Sequence, residues 1–206
     1  MAKSKSSHRW LKEHFNDEYV KRAQVEGFRS RSVYKLSELQ QKYRFIQPAM
    51  RVIDLGAAPG GWSEFTIKQV GKKGILIAVD ILEMAPIAGV EIIQGDFTEL
   101  KTLEIILQIC GSSDIDLVLS DMSPNISGMA SVDQPKAMYL AELALDLALK
   151  TLNKSGVFLV KLFQGEGFDE YVKLVRQNFN HVKFCKPKAS RSRSKEVYLL
   201  ASDFNK

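Results

Sequence analysis

Apolar residues along this chain follow two rhythms. Short, nearly unbroken runs (Val52-Ile53-Asp54-Leu55, Ile75-Leu76-Ile77-Ala78-Val79, Leu117-Val118-Leu119 and Val157-Phe158-Leu159-Val160) suit strands buried on both faces. Between them, apolar positions recur at helical spacing, as in Val33, Leu36, Leu39 and Tyr43. The pattern predicts strands at 51–55, 75–80, 90–94, 116–120, 157–163, 181–186 and 197–202. It predicts helices at 32–43, 62–70, 99–110, 135–151 and 168–178, with Ser30 or Ser32 capping the first of these. Residues 10–26 carry a shorter helical pattern, and residues 1–8 read as disordered. Strands alternating with helices imply an α/β fold: a mostly parallel seven-stranded sheet with helices on both faces. The last two strands are joined by a loop with no helix, so an antiparallel hairpin is expected at one edge.

Composition narrows this picture. With 206 residues and 45% hydrophobic content, the chain has material for one substantial core, not two. The expected organisation is a basic N-terminal extension and helix over 1–47, packed on an α/β body over 48–206. No apolar run approaches the ~20 residues that span a bilayer, and the first residues lack the apolar core of a secretory signal. A cytoplasmic protein with no membrane contact is expected. Cys110 and Cys185 have no partners at metal-ligand spacing, and His8, His14 and His181 form no metal pattern. Free thiols and no metal are the reading.

The net charge of +5 is unevenly placed. Residues 1–35 hold nine Lys and Arg against four acids, which accounts for the whole excess. A second basic run, Lys183, Lys186, Lys188, Arg191, Arg193 and Lys195, meets no acid until Glu196. Two such stretches on a near-neutral body suggest a polyanion partner, with a solvated surface as the plain alternative.

Candidate chemistry gathers where the strands end, the side on which open α/β sheets bind ligands. The run Asp54-Leu55-Gly56-Ala57-Ala58-Pro59-Gly60-Gly61-Trp62 reads as a strand breaking into a glycine turn and then a helix. It matches neither the dinucleotide fingerprint nor a P-loop, so a nicotinamide dehydrogenase is disfavoured. A nucleoside ligand without a pyrophosphate fits better, and S-adenosylmethionine is the candidate. The alternative is an ordinary strand–turn–helix connection. Asp80 ends the next strand, 24 residues after Gly56, where an acid can accept from two ribose hydroxyls. Asp96 and Phe97 follow the third strand, suited to the edge and face of an adenine, and Asp121 follows the fourth. Lys161 lies inside an apolar strand, which costs free energy unless its amino group is paired or neutral. A snorkelling side chain or a plain ion pair is the simpler account, but Asp121 is expected on the neighbouring strand.

These residues carry a resemblance. The segments Ser7-His8-Arg9-Trp10-Leu11, Arg29-Ser30-Arg31-Ser32, Asp54 to Ser63, Gln94-Gly95-Asp96-Phe97, Ser120-Asp121-Met122-Ser123-Pro124-Asn125, Val160 to Gly165 and Ser190 to Glu196 resemble the FtsJ family of ribosomal RNA large-subunit 2′-O-ribose methyltransferases. The resemblance implies a Rossmann-like fold that takes S-adenosylmethionine as methyl donor. It also implies a catalytic tetrad at Lys35, Asp121, Lys161 and Glu196, all present here. Donor contacts are implied at Gly60, Trp62, Asp80, Asp96 and Asp121, with Gly56, Pro59, Gly61 and Phe97 completing the expected crevice. The implied substrate is a uridine 2′-hydroxyl in the peptidyl-transferase region of 23S rRNA, within the assembled large ribosomal subunit. Lys161 is expected as general base, oriented by Asp121, with Lys35 beside it and Glu196 positioning Lys35 or the ribose. Arg29, Arg31, Arg191 and Arg193 are the expected RNA contacts, and a monomer without an obligate protein partner is expected. A tRNA or mRNA-cap 2′-O-methyltransferase and a non-catalytic ribosome-assembly factor remain as alternatives.

Overall fold

The computed structural model describes residues 17–111 and 115–205. The expectations for residues 1–8, for the start of the 10–26 helical pattern and for His8 and His14 lie outside the described residues. In chain order the elements are α1 (Glu18–Glu26), α2 (Val33–Tyr43), β1 (Arg51–Leu55), α3 (Gly61–Val70), β2 (Ile75–Asp80), β3 (Val90–Gln94), α4 (Leu100–Cys110), β4 (Ile115–Ser120), α5 (Ala130–Thr151), β5 (Leu152–Phe163), α6 (Phe168–Asn178), β6 (Phe179–Cys185) and β7 (Glu196–Phe204).

The seven strands form one sheet in the order β3-β2-β1-β4-β5-β7-β6. The first five strands in that order pair in parallel, and β7 is antiparallel to both β5 and β6. The expected hairpin is therefore present, folded so that the last strand lies inside and β6 forms the edge. Alternate residues of each central strand enter opposite layers. Ile53, Ile77, Val118 and Phe158 face one core with α4, α5 and α6. Val52, Leu76, Leu117 and Leu159 face the other, with Leu36 and Leu39 of α2 and Trp62 and Val70 of α3. Burial on both faces is why these strands lack the polar alternation of a half-exposed sheet.

Three local expectations are corrected. Neither Ser30 nor Ser32 caps α2 with its side chain: the two hydroxyls bond each other at 2.6 Å. The first N–H groups of α2 instead reach the backbone carbonyls of Ser30, Arg31 and Ser32. Helix α5 begins at Ala130 rather than Pro135, because Val132 and Asp133 N–H groups close its first turn on the Met129 carbonyl. Strand β5 begins at Leu152, five residues early, across a register irregularity opposite Ile115 and Leu117. Its opening Asn153-Lys154-Ser155-Gly156 is polar, which hid it from an apolar pattern. No helix among the described residues is long and apolar enough to cross a membrane.

Candidate active site

The sheet order reverses between β1 and β4, and the crevice beyond their carboxyl ends is the natural ligand site of such a sheet. Gly56 leaves β1 with φ +72°, and a Cβ there would lie 2.8 Å from Met122 Cγ and 2.9 Å from Met122 Cα. Conformation and the neighbouring loop both demand glycine. A Cβ on Gly61 would lie 2.4 Å from Ser30 Oγ. What approaches these two glycines is the protein itself: the loop after β4 and the segment before α2.

Asp80 stitches the crevice together. Its Oδ2 accepts from the Ala58 N–H at 2.9 Å, and its Oδ1 accepts from the Leu82 N–H at 2.8 Å. Each oxygen keeps a second lone pair for a hydroxyl. Asp96 is exposed, its Oδ1 bonded to the Thr98 N–H and hydroxyl at 2.8 and 2.7 Å, which hold its carboxyl below the usual range. Phe97 packs against the layer that holds Ile53. Asp54, fully buried within β1, accepts from Ser63 Oγ at 2.6 Å. Burial pushes its carboxyl up to about 7, with Asp121 and Asp80 adding to the rise and the Ser63 bond opposing it.

The four expected tetrad residues come together as two linked pairs. Lys161 Nζ donates to the Asp121 carbonyl at 2.6 Å and lies 3.1 Å from Asp121 Oδ1. Lys35 Nζ lies 2.6 Å from Glu196 Oε1. Burial alone would raise both carboxyl groups, but the facing lysines leave Asp121 and Glu196 below their ordinary values. Sheet register explains the meeting. Asp121 directly follows β4, Lys161 lies on adjacent β5, and Phe163 pairs with Glu196 across β5 and β7.

One member of this cluster went unpredicted. Tyr198 pairs with Lys161 in the β5–β7 register, and its hydroxyl donates to Asp121 Oδ1 at 2.7 Å. Lys35 Nζ also sits 5.7 Å from its ring centroid. The signal was available, since Glu196 and Tyr198 are two apart on a strand and must share a face. Trp62 proves to be a prop: its ring packs 5.8 Å from that of Tyr198, and its Nε1 donates to the Ser32 carbonyl at 2.9 Å. Its indole is buried.

With this geometry in view, residues 28–204 match the family described as FtsJ-like methyltransferase. The chain belongs to the FtsJ-like methyltransferase family. It is 61% identical over 204 residues to a Pseudomonas fluorescens protein named ribosomal RNA large subunit methyltransferase E, covering 99% of this chain and 98% of the relative. A Pseudomonas aeruginosa protein of the same name is 58% identical, with 99% of each chain covered. Among solved structures, one described as a ribosomal RNA methyltransferase from Plasmodium falciparum superposes with a TM-score of 0.78 at 27% identity, covering 86% of this chain and 98% of that one. A fibrillarin/Nop5p complex chain, at 17% identity and a TM-score of 0.57 over 84% of this chain and 83% of that one, shares the fold.

The arginines expected to face RNA divide into two groups in this FtsJ-like chain. Arg29 is turned onto the fold: its guanidinium donates to the carbonyls of Ala85 at 2.8 Å, Pro86 at 2.9 Å and Pro59 at 3.3 Å. Arg31 donates to the Ala189 carbonyl and pairs with Asp17 at 3.1 Å. Both arginines act as clamps in this structure. Arg191 and Arg193 lie in the β6–β7 loop, Arg191 3.8 Å from Asp17 and Arg193 at an exposed position.

Two outcomes follow. The native state holds a proton on Asp54 that the unfolded chain releases near pH ~4. This group therefore lowers stability as pH rises from there to about 7. Asp54→Asn keeps an acceptor for Ser63 and removes the titration. Its stability relative to wild type, from urea unfolding at each pH, should increase across that window and level off above it. Tyr198→Phe removes a buried charge-assisted bond, so a loss of about 1.5–3 kcal/mol is expected in the same measurement.

Proposed function

We propose that this chain transfers a methyl group from S-adenosylmethionine to the 2′-hydroxyl of a uridine ribose in 23S rRNA. The target lies in the peptidyl-transferase region of the large ribosomal subunit. The observation that carries this reading is the meeting of Lys161 and Asp121 beside the glycine turn, with Lys35 and Glu196 alongside. The names of the 58–61% identical relatives support large-subunit rRNA as substrate.

The residues present fit the donor. Asp80, Asp96 and Asp121 stand at or just beyond the ends of β2 to β4, and Oδ1 of buried Asp54 in β1 lacks a hydrogen-bond partner among the described residues. Such an acid-rich edge repels phosphate and suits a nucleoside that carries positive charge. The first-turn N–H groups of α3, at Gly61 and Trp62, suit its carboxylate. Gly56, Pro59 and Gly60 shape the turn, Asp80 takes ribose hydroxyls, and Asp96 and Phe97 take the base. When bound, the donor supplies an electrophilic methyl carbon on a sulfonium.

Lys161 takes the proton of the ribose hydroxyl. A neutral amine has two N–H groups and one lone pair. Once Lys161 has given up a proton, the Asp121 carbonyl and Oδ1, at 2.6 and 3.1 Å, can accept both remaining hydrogens, which leaves the lone pair for the substrate. Asp121 thus orients the base, and Tyr198 fixes Asp121. Glu196, an ionised carboxylate, holds Lys35 beside the same hydroxyl. Arg191, Arg193, Lys188 and Lys195 of the β6–β7 loop bind RNA phosphates, which makes affinity fall with salt. The chain works as a monomer on the assembled subunit in the cytoplasm.

A positioned base contributes about 10²–10⁴-fold. Lys161→Met should therefore lose methyl transfer by that factor while still binding S-adenosylmethionine in calorimetry; near-normal turnover would remove Lys161 from the role. The substrate is tested with labelled methyl donor and large subunits from a strain lacking this protein, beside tRNA and capped RNA. Label is expected on one uridine ribose of 23S rRNA. Label on tRNA or the cap instead would overturn the assignment.

A further inference from the structure

Two neighbouring residues early in α5 reach in different directions. Asp133 accepts from the Ser127 N–H at 2.8 Å and hydroxyl at 2.7 Å through Oδ1, and from the Gly128 N–H at 2.9 Å through Oδ2. It thereby fixes the far end of the 122–129 loop that leaves Asp121. Gln134 Nε2 donates to the Phe163 carbonyl at 3.1 Å and the Glu166 carbonyl at 2.9 Å. It fixes the turn that leaves Lys161. The fit is close, since a Cβ on Gly165 would lie 2.8 Å from Gln134 Cδ.

These bonds are not what holds the reacting pair. The Asp121 N–H already donates to the Leu55 carbonyl, and its carboxylate is held by Tyr198 and Lys161. What Asp133 and Gln134 govern are the two loops that extend beyond that pair. The 122–129 loop presents two large apolar side chains to solvent, Ile126 at 63% and Met129 at 59% exposure. Apolar side chains held outward by three bonds to one carboxylate need an account, and an unstacked nucleobase supplies one.

We propose that Asp133 and Gln134 are positioning residues for the RNA nucleotide. They fix the two walls of a slot in front of Lys161, and Ile126 and Met129 line it against the target base. The inference rests on the reading of Lys161 and Asp121 as the reacting centre. Loose walls leave the hydroxyl misplaced, and misplacement by about 1 Å costs up to ~10²-fold.

The test uses the full chain with large subunits lacking the modification. Asp133→Ala, Gln134→Glu (equal in size, without the N–H donors) and the pair Ile126→Ser with Met129→Ser are each measured. The last two side chains are exposed, so that variant leaves the fold intact. Each variant should lower kcat/KM for RNA by about 10–100-fold, Asp133→Ala and Gln134→Glu mainly through kcat and the paired serine variant mainly through KM. Affinity for S-adenosylmethionine, from calorimetry, should stay within about twofold, a split that general loosening of the fold would not produce. RNA kinetics like wild type, or donor affinity falling in step with them, would overturn the proposal. Wild-type protein that labels no ribosomal RNA would overturn the underlying reading and this inference with it. Wild type that labels RNA normally, beside unaffected variants, would overturn the inference alone.

Discussion

A lysine buried in an apolar strand sets the terms for this molecule. Lys161 carries its amino group to the buried carboxyl edge of the sheet, where an unpaired charge costs several kcal/mol. Asp121 answers it twice, through carbonyl and carboxylate. That requires β4 beside β5 in the observed register. Tyr198, opposite Lys161 on β7, supplies the remaining donor to Asp121, and Glu196 on the same face reaches Lys35. A slip of one residue between β5 and β7 would turn both to the wrong layer. The antiparallel strand inserted inside the edge is therefore the element that completes the cluster.

Much of this was legible because doubly buried strands write themselves as apolar runs. Asp80, Asp96 and Asp121 stood at strand ends, and Lys161 stood out as a charge in an apolar run. Lys35 and Glu196 had no such mark. A lysine on an amphipathic helix and a glutamate after a basic loop are ordinary, and only the family resemblance tied them to the site. Tyr198 was missed for the opposite reason: an aromatic in a strand is normal core material, and its hydroxyl matters only because Asp121 arrives from two strands away.

Counting charge says nothing of how Arg29 and Arg31 are held, because acceptors made of backbone are invisible in a sequence. The carbonyls that receive Arg29 belong to residues 59, 85 and 86, gathered only by folding. The early start of α5 escaped for a related reason. Proline commonly opens helices, and nothing in the pattern shows that the Met129 carbonyl and the Asp133 carboxylate organise the turn before it.

The segment 29–32 has a mechanical consequence. Arg29 is pinned to the Pro59 carbonyl, Ser30 fills the space beside Gly61, and the Ser32 carbonyl receives the Trp62 indole. Three residues after Ser32 comes Lys35. The glycine turn and the helix that bears Lys35 are thus riveted along one seam and cannot part like jaws.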